Sequence, residues 1–212
     1  MLPASFFDRP IAHRAYHDIA AGRPENSVEA IIAAIEAGYG IEIDLQLSSD
    51  GVAMVFHDYD LDRLTAETGS LRARSAAALG AIPLRHGAKG IPTFAEVLAL
   101  VAGQVPLLVE IKDQDGAMGP DVGALEDAAA RALAGYAGPV ALMSFNPHSV
   151  AALAELAPDI PRGLTTCAYR GGDAEQLPEA RLAGLRAIAD FDRTAACFIS
   201  HNWRDLTAPR VA

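Results

Sequence analysis

Four pairs of polar residues in this sequence have the types and spacing for chemistry on an anionic ester: His13 and Arg14, Glu42 and Asp44, His57 and Asp58, Glu110 and Lys112. Each pair lies within or just after a short apolar run. Glu42, Asp44 and Glu110 are oxygen ligands, which suit a hard cation such as Mg²⁺ or Ca²⁺ better than zinc. Arg14 and Lys112 beside such a cation imply an anionic ligand, since arginine grips a phosphate bidentately and lysine adds a point charge. Two imidazoles, His13 and His57, can serve as general base and general acid. Metal, cations and a histidine pair together point to cleavage of a phosphodiester. Blander readings stand beside this one. Glu42 and Asp44 could form the solvated face of an edge strand, Glu110 and Lys112 a simple ion pair, and the histidines strand-end structural groups.

The elements that must position these residues follow from periodicity. In the run from Gly40 to Leu47, Ile41, Ile43, Leu45 and Leu47 alternate with Glu42, Asp44 and Gln46. Period two predicts a strand with one aliphatic face and one face bearing both carboxylates. An unpaired buried charge is costly, so an inward carboxylate pair calls for a partner. Further strands are predicted over Pro10–Arg14, Val52–Asp58, Val105–Asp113, Val140–Asn146, Ile160–Thr166 and Ala196–Asn202. Helices are predicted after the Ser27 cap, with Val28, Ile31, Ile32 and Ile35 as its apolar stripe. Others follow over Phe94–Leu100 behind Thr93, over Asp121–Ala134, from Pro147, and over Pro178–Ala187. Asp50-Gly51 is a hairpin signal between two of the strands. Residues Tyr59 to Gly90 read as an irregular excursion.

Strands alternating with helices predict a parallel sheet, and seven short apolar strands predict an α/β fold of the TIM (β/α)₈ barrel type. Catalytic groups would then converge at the C-terminal ends of the strands, where Ser144, Asn146 and His201 also fall. A doubly wound open sheet is the alternative. It would be favoured by a glycine-rich first turn, and Ala12-His13-Arg14-Ala15 is not one. The count is one strand short of a barrel. The last strand and helix are expected to lie beyond Ala212.

The chain has 212 residues and a net charge of −10, with a pI near 4.9. That balance argues against nucleic acid or an anionic membrane as partner. Cys167 and Cys197 have no metal-type spacing and read as reduced, mostly buried thiols. No signal-like or membrane-spanning run is present, so a cytoplasmic protein without stable membrane insertion is expected. The Asp121–Asp127 acidic run and His86 read as solvated surface. His17, His201 and Trp203 read as mouth or surface residues.

Taken in order, Ala12-His13-Arg14, Pro24-Glu25-Asn26-Ser27, Glu42-Ile43-Asp44, Asp50-Gly51, Val55-Phe56-His57-Asp58 and Val109-Glu110-Ile111-Lys112 resemble the glycerophosphodiester phosphodiesterase family. The looser Asp60-Leu61-Asp62-Arg63-Leu64-Thr65, Ile91-Pro92-Thr93-Phe94 and Ser144-Phe145-Asn146 segments fit as well. The resemblance implies a single TIM-barrel domain over 1–212 with 59–90 as a small insertion after the third strand, shaping the glycerol end of the site. It implies hydrolysis of glycerophosphodiesters to sn-glycerol 3-phosphate and an alcohol with a divalent cation. His13 and His57 would be the acid/base pair, Glu42, Asp44 and Glu110 the metal ligands, and Arg14 and Lys112 the phosphate grip. Asn26, Asp58 and His17 are candidates for support. Three departures are visible: Ala15 stands where the family usually has glycine, the loop from there to Pro24 is long, and the closing aromatic strand with its Trp-Thr pair is absent. Two other outcomes remain open, cleavage that stops at a cyclic phosphate and a non-catalytic barrel that keeps its metal for stability.

Overall fold

The computed structural model of this chain describes residues 1–171 and 176–211. Residues 172–175 and Ala212 lie outside the description. The described residues contain seven strands: β1 (Ile11–Ala12), β2 (Gly40–Leu47), β3 (Ala53–Val55), β4 (Leu107–Ile111), β5 (Val140–Ser144), β6 (Arg162–Thr166) and β7 (Phe198–His201). Six α-helices accompany them among the described residues: α1 (Val28–Ala37), α2 (Ala76–Gly80), α3 (Phe94–Val101), α4 (Ala124–Leu133), α5 (Pro147–Leu156) and α6 (Glu179–Arg186). Strands β1, β2, β4, β5, β6 and β7 lie side by side in that order, each parallel to the next. This is the α/β arrangement of a (β/α) barrel. Among the described residues no ladder joins β7 to β1, so the sheet is an open arc.

The third predicted strand corrects the count. β3 pairs antiparallel with β2, Leu45 facing Val55 and Leu47 facing Ala53. It is a hairpin arm off the arc, so six strands rather than seven belong to the parallel series. The reason lies in the connection. Only residues 48–52 separate the two strands, and a parallel return needs about a dozen residues or more. Ser48 and Asp50-Gly51 form the tight turn instead. The Ser48 hydroxyl donates to Asp50 at 2.6 Å, accepts from Val52 N at 2.9 Å, and Gly51 takes a positive φ of 78°.

The alternation in β2 sorts its faces. Ile41, Ile43 and Leu45 pack outward into one large core with Ala30 and Ile31 of α1, Phe94 and Val97 of α3, and Leu125 and Ala129 of α4. Ile32 is 38% exposed, so the buried face of α1 runs through Ala30, Ile31 and Ala34. The opposite faces of β4 and β5 supply Leu108, Ala141 and Met143, which pack with Phe6 as a second cluster inside the arc. The neighbouring Phe7 is exposed. Residues 59–90 carry their own small core. Leu61, Leu64, Leu71, Leu79 and Leu84 close on Met54, Phe56 and Ile91.

Three smaller expectations change. Glu126, within the acidic run, is buried and accepts from Gly123 N and from Ser149 Oγ. Cys197 is exposed, and Cys167 is half-buried. His201 is buried at the side chain between Thr166 and Asp205, while Trp203 is exposed as expected. No helix among the described residues is long and apolar enough to cross a membrane.

Candidate active site

The carboxylates meet because of register. Period two places Glu42 and Asp44 on one face of β2, and the β2–β4 ladder sets Asp44 opposite Glu110. All three are buried, and one oxygen from each lies within 4.8 Å of the others. Lys112 Nζ stands among them, 2.7 Å from Glu110 Oε1 and 3.1 Å from Asp44 Oδ1.

The chain leaving β1 wraps this cluster. Arg14 and Ala15 both take left-handed backbone, with φ of 53° and 64°. That bend aims Arg14 N at Glu42 Oε2, 2.7 Å away, and Ala15 N at the Glu42 carbonyl, 2.9 Å away. Asn26 is left-handed as well (φ 57°), a conformation its short polar side chain tolerates. Its side chain clips β2: Nδ2 donates to Asp44 Oδ2 at 2.9 Å, and Oδ1 accepts from Asp44 N at 3.2 Å. His13 Nε2 lies 3.9 Å from Glu42 Oε2, and its ring is largely open to solvent. His17 is on the exposed loop beyond, near enough to His13 to help depress its pKa.

His57 follows β3, and its Nδ1 lies 2.7 Å from Asp58 Oδ1. Arg63 holds Asp58 from the other side at 2.6 and 2.8 Å. Burial pushes the Asp58 carboxyl up, but the bonds from Arg63 and His57 outweigh it and hold the group down to about 2. An ionised carboxylate only accepts, so the bonded Nδ1 is the protonated nitrogen and Nε2 carries the lone pair in the neutral ring. Burial, then the Lys112 charge, lowers the His57 pKa; burial, then Arg14, lowers that of His13.

The carboxylates divide. Burial and then Asp44 drive Glu42 well above its usual range, and burial also raises Glu110 against the pull of Lys112. For Asp44, burial acts upward, yet Lys112, His57, the Asn26 bond and Arg14 prevail and keep it low. Glu42 Oε1 is buried and has no hydrogen-bond partner among the described residues. An orphan oxygen beside two further carboxylates fits an oxygen-ligated divalent cation.

A cleft of about 970 Å³ opens over this centre. Gln46, His57, Glu110 and Lys112 line it, Tyr59 and Arg63 come from the segment 59–90, and Phe145 and Tyr169 form an edge-to-face pair on its wall. Ser144 and Asn146 are bracing groups here. The Ser144 hydroxyl donates to the Ile111 carbonyl, and Asn146 donates to Asp113 while capping α5.

The structure thus gathers His13, Arg14, Glu42, Asp44, His57, Glu110 and Lys112 at one mouth, with Asn26 and Asp58 in direct contact with members of the set. Two residues of the site were not singled out from sequence. Glu25 accepts from Arg14 at 2.8 Å, and Arg63 donates to both Glu25 and Asp58. Their signal was their place inside two of the family-like segments.

Residues 13–183 match the model of the glycerophosphoryl diester phosphodiesterase family. This chain belongs to that family. The glycerophosphodiester phosphodiesterase of Caldanaerobacter subterraneus is 32% identical over 151 residues, covering 66% of this chain and 60% of the relative. Human glycerophosphodiester phosphodiesterase 1 is 43% identical over 63 residues, 29% of this chain and 18% of that protein. Among solved structures, an Oleispira antarctica phosphodiesterase in complex with the product sn-glycerol-3-phosphate superposes with a TM-score of 0.71. It is 23% identical, over 93% of this chain and 74% of that one, which speaks for the shared fold. The chain therefore spans less than two thirds of the length of these two curated members of the family.

Proposed function

We propose that this chain hydrolyses glycerophosphodiesters to sn-glycerol 3-phosphate and an alcohol, as a barrel unit with 59–90 as its insertion. The observation that carries the reading is the convergence of two imidazoles and two cations on one buried trio of carboxylates. Arg14 and Lys112 hold the phosphodiester and offset charge that builds on its oxygens. His57, neutral at pH 7 with its Nδ1 proton kept by Asp58, takes a proton on Nε2 from the attacking water as its oxygen bonds to phosphorus. The phosphorus–oxygen bond to the alcohol breaks, and His13 gives its proton to the departing oxygen. The ring of His13 is open to solvent and reprotonates there. Glu42, Asp44 and Glu110 would hold a divalent cation, Mg²⁺ or Ca²⁺, which supplies further charge neutralisation at the phosphoryl group.

The test is a coupled assay for glycerol 3-phosphate over a panel of glycerophosphodiesters, with and without chelator, with products followed by phosphorus NMR. Glycerol 3-phosphate that vanishes with chelator and returns with added cation is the expected result. No glycerol 3-phosphate from any diester overturns the reading. Accumulation of a cyclic phosphate alone replaces hydrolysis with an internal transfer. Activity indifferent to chelator removes the cation.

A further inference from the structure

We propose that Arg63 is a positioning residue, one guanidinium carried by the insertion that sets His57 through Asp58 and Arg14 through Glu25. The contacts use every nitrogen of the group. Nε donates to Asp58 Oδ2 at 2.6 Å, and Nη2 to Asp58 Oδ1 at 2.8 Å. On the other side, Nη1 donates to Glu25 Oε2 and Nη2 to Glu25 Oε1, each at 2.8 Å. Asp58 then holds His57 Nδ1 at 2.7 Å, and Glu25 holds Arg14 Nη1 at 2.8 Å. Two bidentate forks fix two carboxylate planes at once, a geometry a lysine cannot supply. The two carboxylates belong to the loop after β1 and the segment after β3, so a single side chain sets the relative placement of an imidazole and a guanidinium that no ladder joins directly.

A surface ion pair makes a different forecast. Arg63 is 48% exposed at the side chain, and exposed pairs contribute only about 0–1 kcal/mol. Its loss should therefore spare folding and still change turnover. The inference rests on the proposed phosphodiesterase reading for its kinetic arm and on His57 alone for its spectroscopic arm.

The experiment compares Arg63→Ala, Arg63→Lys, Asp58→Asn and the Arg63→Ala/Asp58→Asn double variant by thermal melting, steady-state kinetics and nitrogen-15 NMR of the His57 ring. Arg63→Ala is expected to lower kcat by about 10–100-fold, the size seen for groups that orient a reacting side chain from outside its direct contacts, with a near-unchanged Tm. Arg63→Lys recovers part of that loss. In the double variant the losses fall short of multiplying, because both act along one chain of contacts. The His57 Nδ1–H signal shifts in Arg63→Ala. A kcat within about twofold of wild type, or losses that multiply in the double variant, would overturn the inference. If the wild type cleaves no glycerophosphodiester, the functional reading fails, and the His57 signal still decides Arg63: a shift supports its positioning role, an unmoved signal removes it.

Discussion

At the scale of single residues, the site sets two opposing demands on its carboxylates. Burial and mutual repulsion favour protons on Glu42 and Glu110, whereas a cation requires them ionised. Glu42→Gln should therefore raise the Tm of the ion-free protein at neutral pH and abolish the stabilisation given by added cation. The sign follows from linkage. A carboxyl whose folded pKa is raised leaves the native state binding more protons than the unfolded chain, so its contribution falls as pH rises from its ordinary value through the folded one. The Tm gap between Glu42→Gln and wild type should widen as pH rises above the ordinary carboxylate range, at about 2–4 °C per kcal/mol. A constant gap, followed by calorimetry in chelator, would show that Glu42 is already ionised in the empty site. For the histidines, His13→Ala and His57→Ala should each reduce turnover by roughly 10²–10⁴-fold. Near-normal rates in either variant remove that ring from the mechanism.

At the scale of elements, the small core of residues 59–90 depends on a few large side chains. Phe56 is fully buried and joins β3 to the cluster of Leu61, Leu71 and Leu79. Phe56→Ala should cost about 3–5 kcal/mol, and limited proteolysis followed by mass spectrometry should find the first cut within 59–90. First cuts elsewhere would mean that this small core does not govern local opening. The same elements show what a sequence discloses. The faces of β2 were legible because Ile41, Ile43 and Leu45 alternate with Glu42, Asp44 and Gln46, a signal contained in eight consecutive residues. The gathering of Glu110 with Asp44 needed only the parallel register. The direction of β3 was harder, although the Asp50-Gly51 turn announced it, because an apolar run reads alike in either orientation. The role of Arg63 was not legible beyond its place in a family-like segment: its partners lie 5 and 38 positions away, and no periodicity ties them together. The left-handed bend at Arg14 and Ala15 had only an indirect signal: alanine itself favours no such conformation, and the hint was that it stands where the family usually has glycine.

At the scale of the whole molecule, the charge of −10 opposes an anionic diester, and the field at the mouth must be reversed locally. Cation binding to the native state alone should raise stability by about 2.7 kcal/mol at a hundredfold excess over Kd, about 5–10 °C in Tm for a chain of this length. A Tm that ignores both cation and chelator would argue against any site at the three carboxylates. Lys112 gives this balance a further consequence. Its ammonium sits against Glu110 and Asp44, serving as the counter-charge of an acidic centre. Under the proposed function, a divalent ion held by the three carboxylates would take over that duty and leave the ammonium to an anion. Ion and diester would then assist one another's entry instead of competing, with the cation loading first. Inorganic phosphate should accordingly bind more tightly in the presence of cation than in chelator, and Lys112→Met should erase most of that difference.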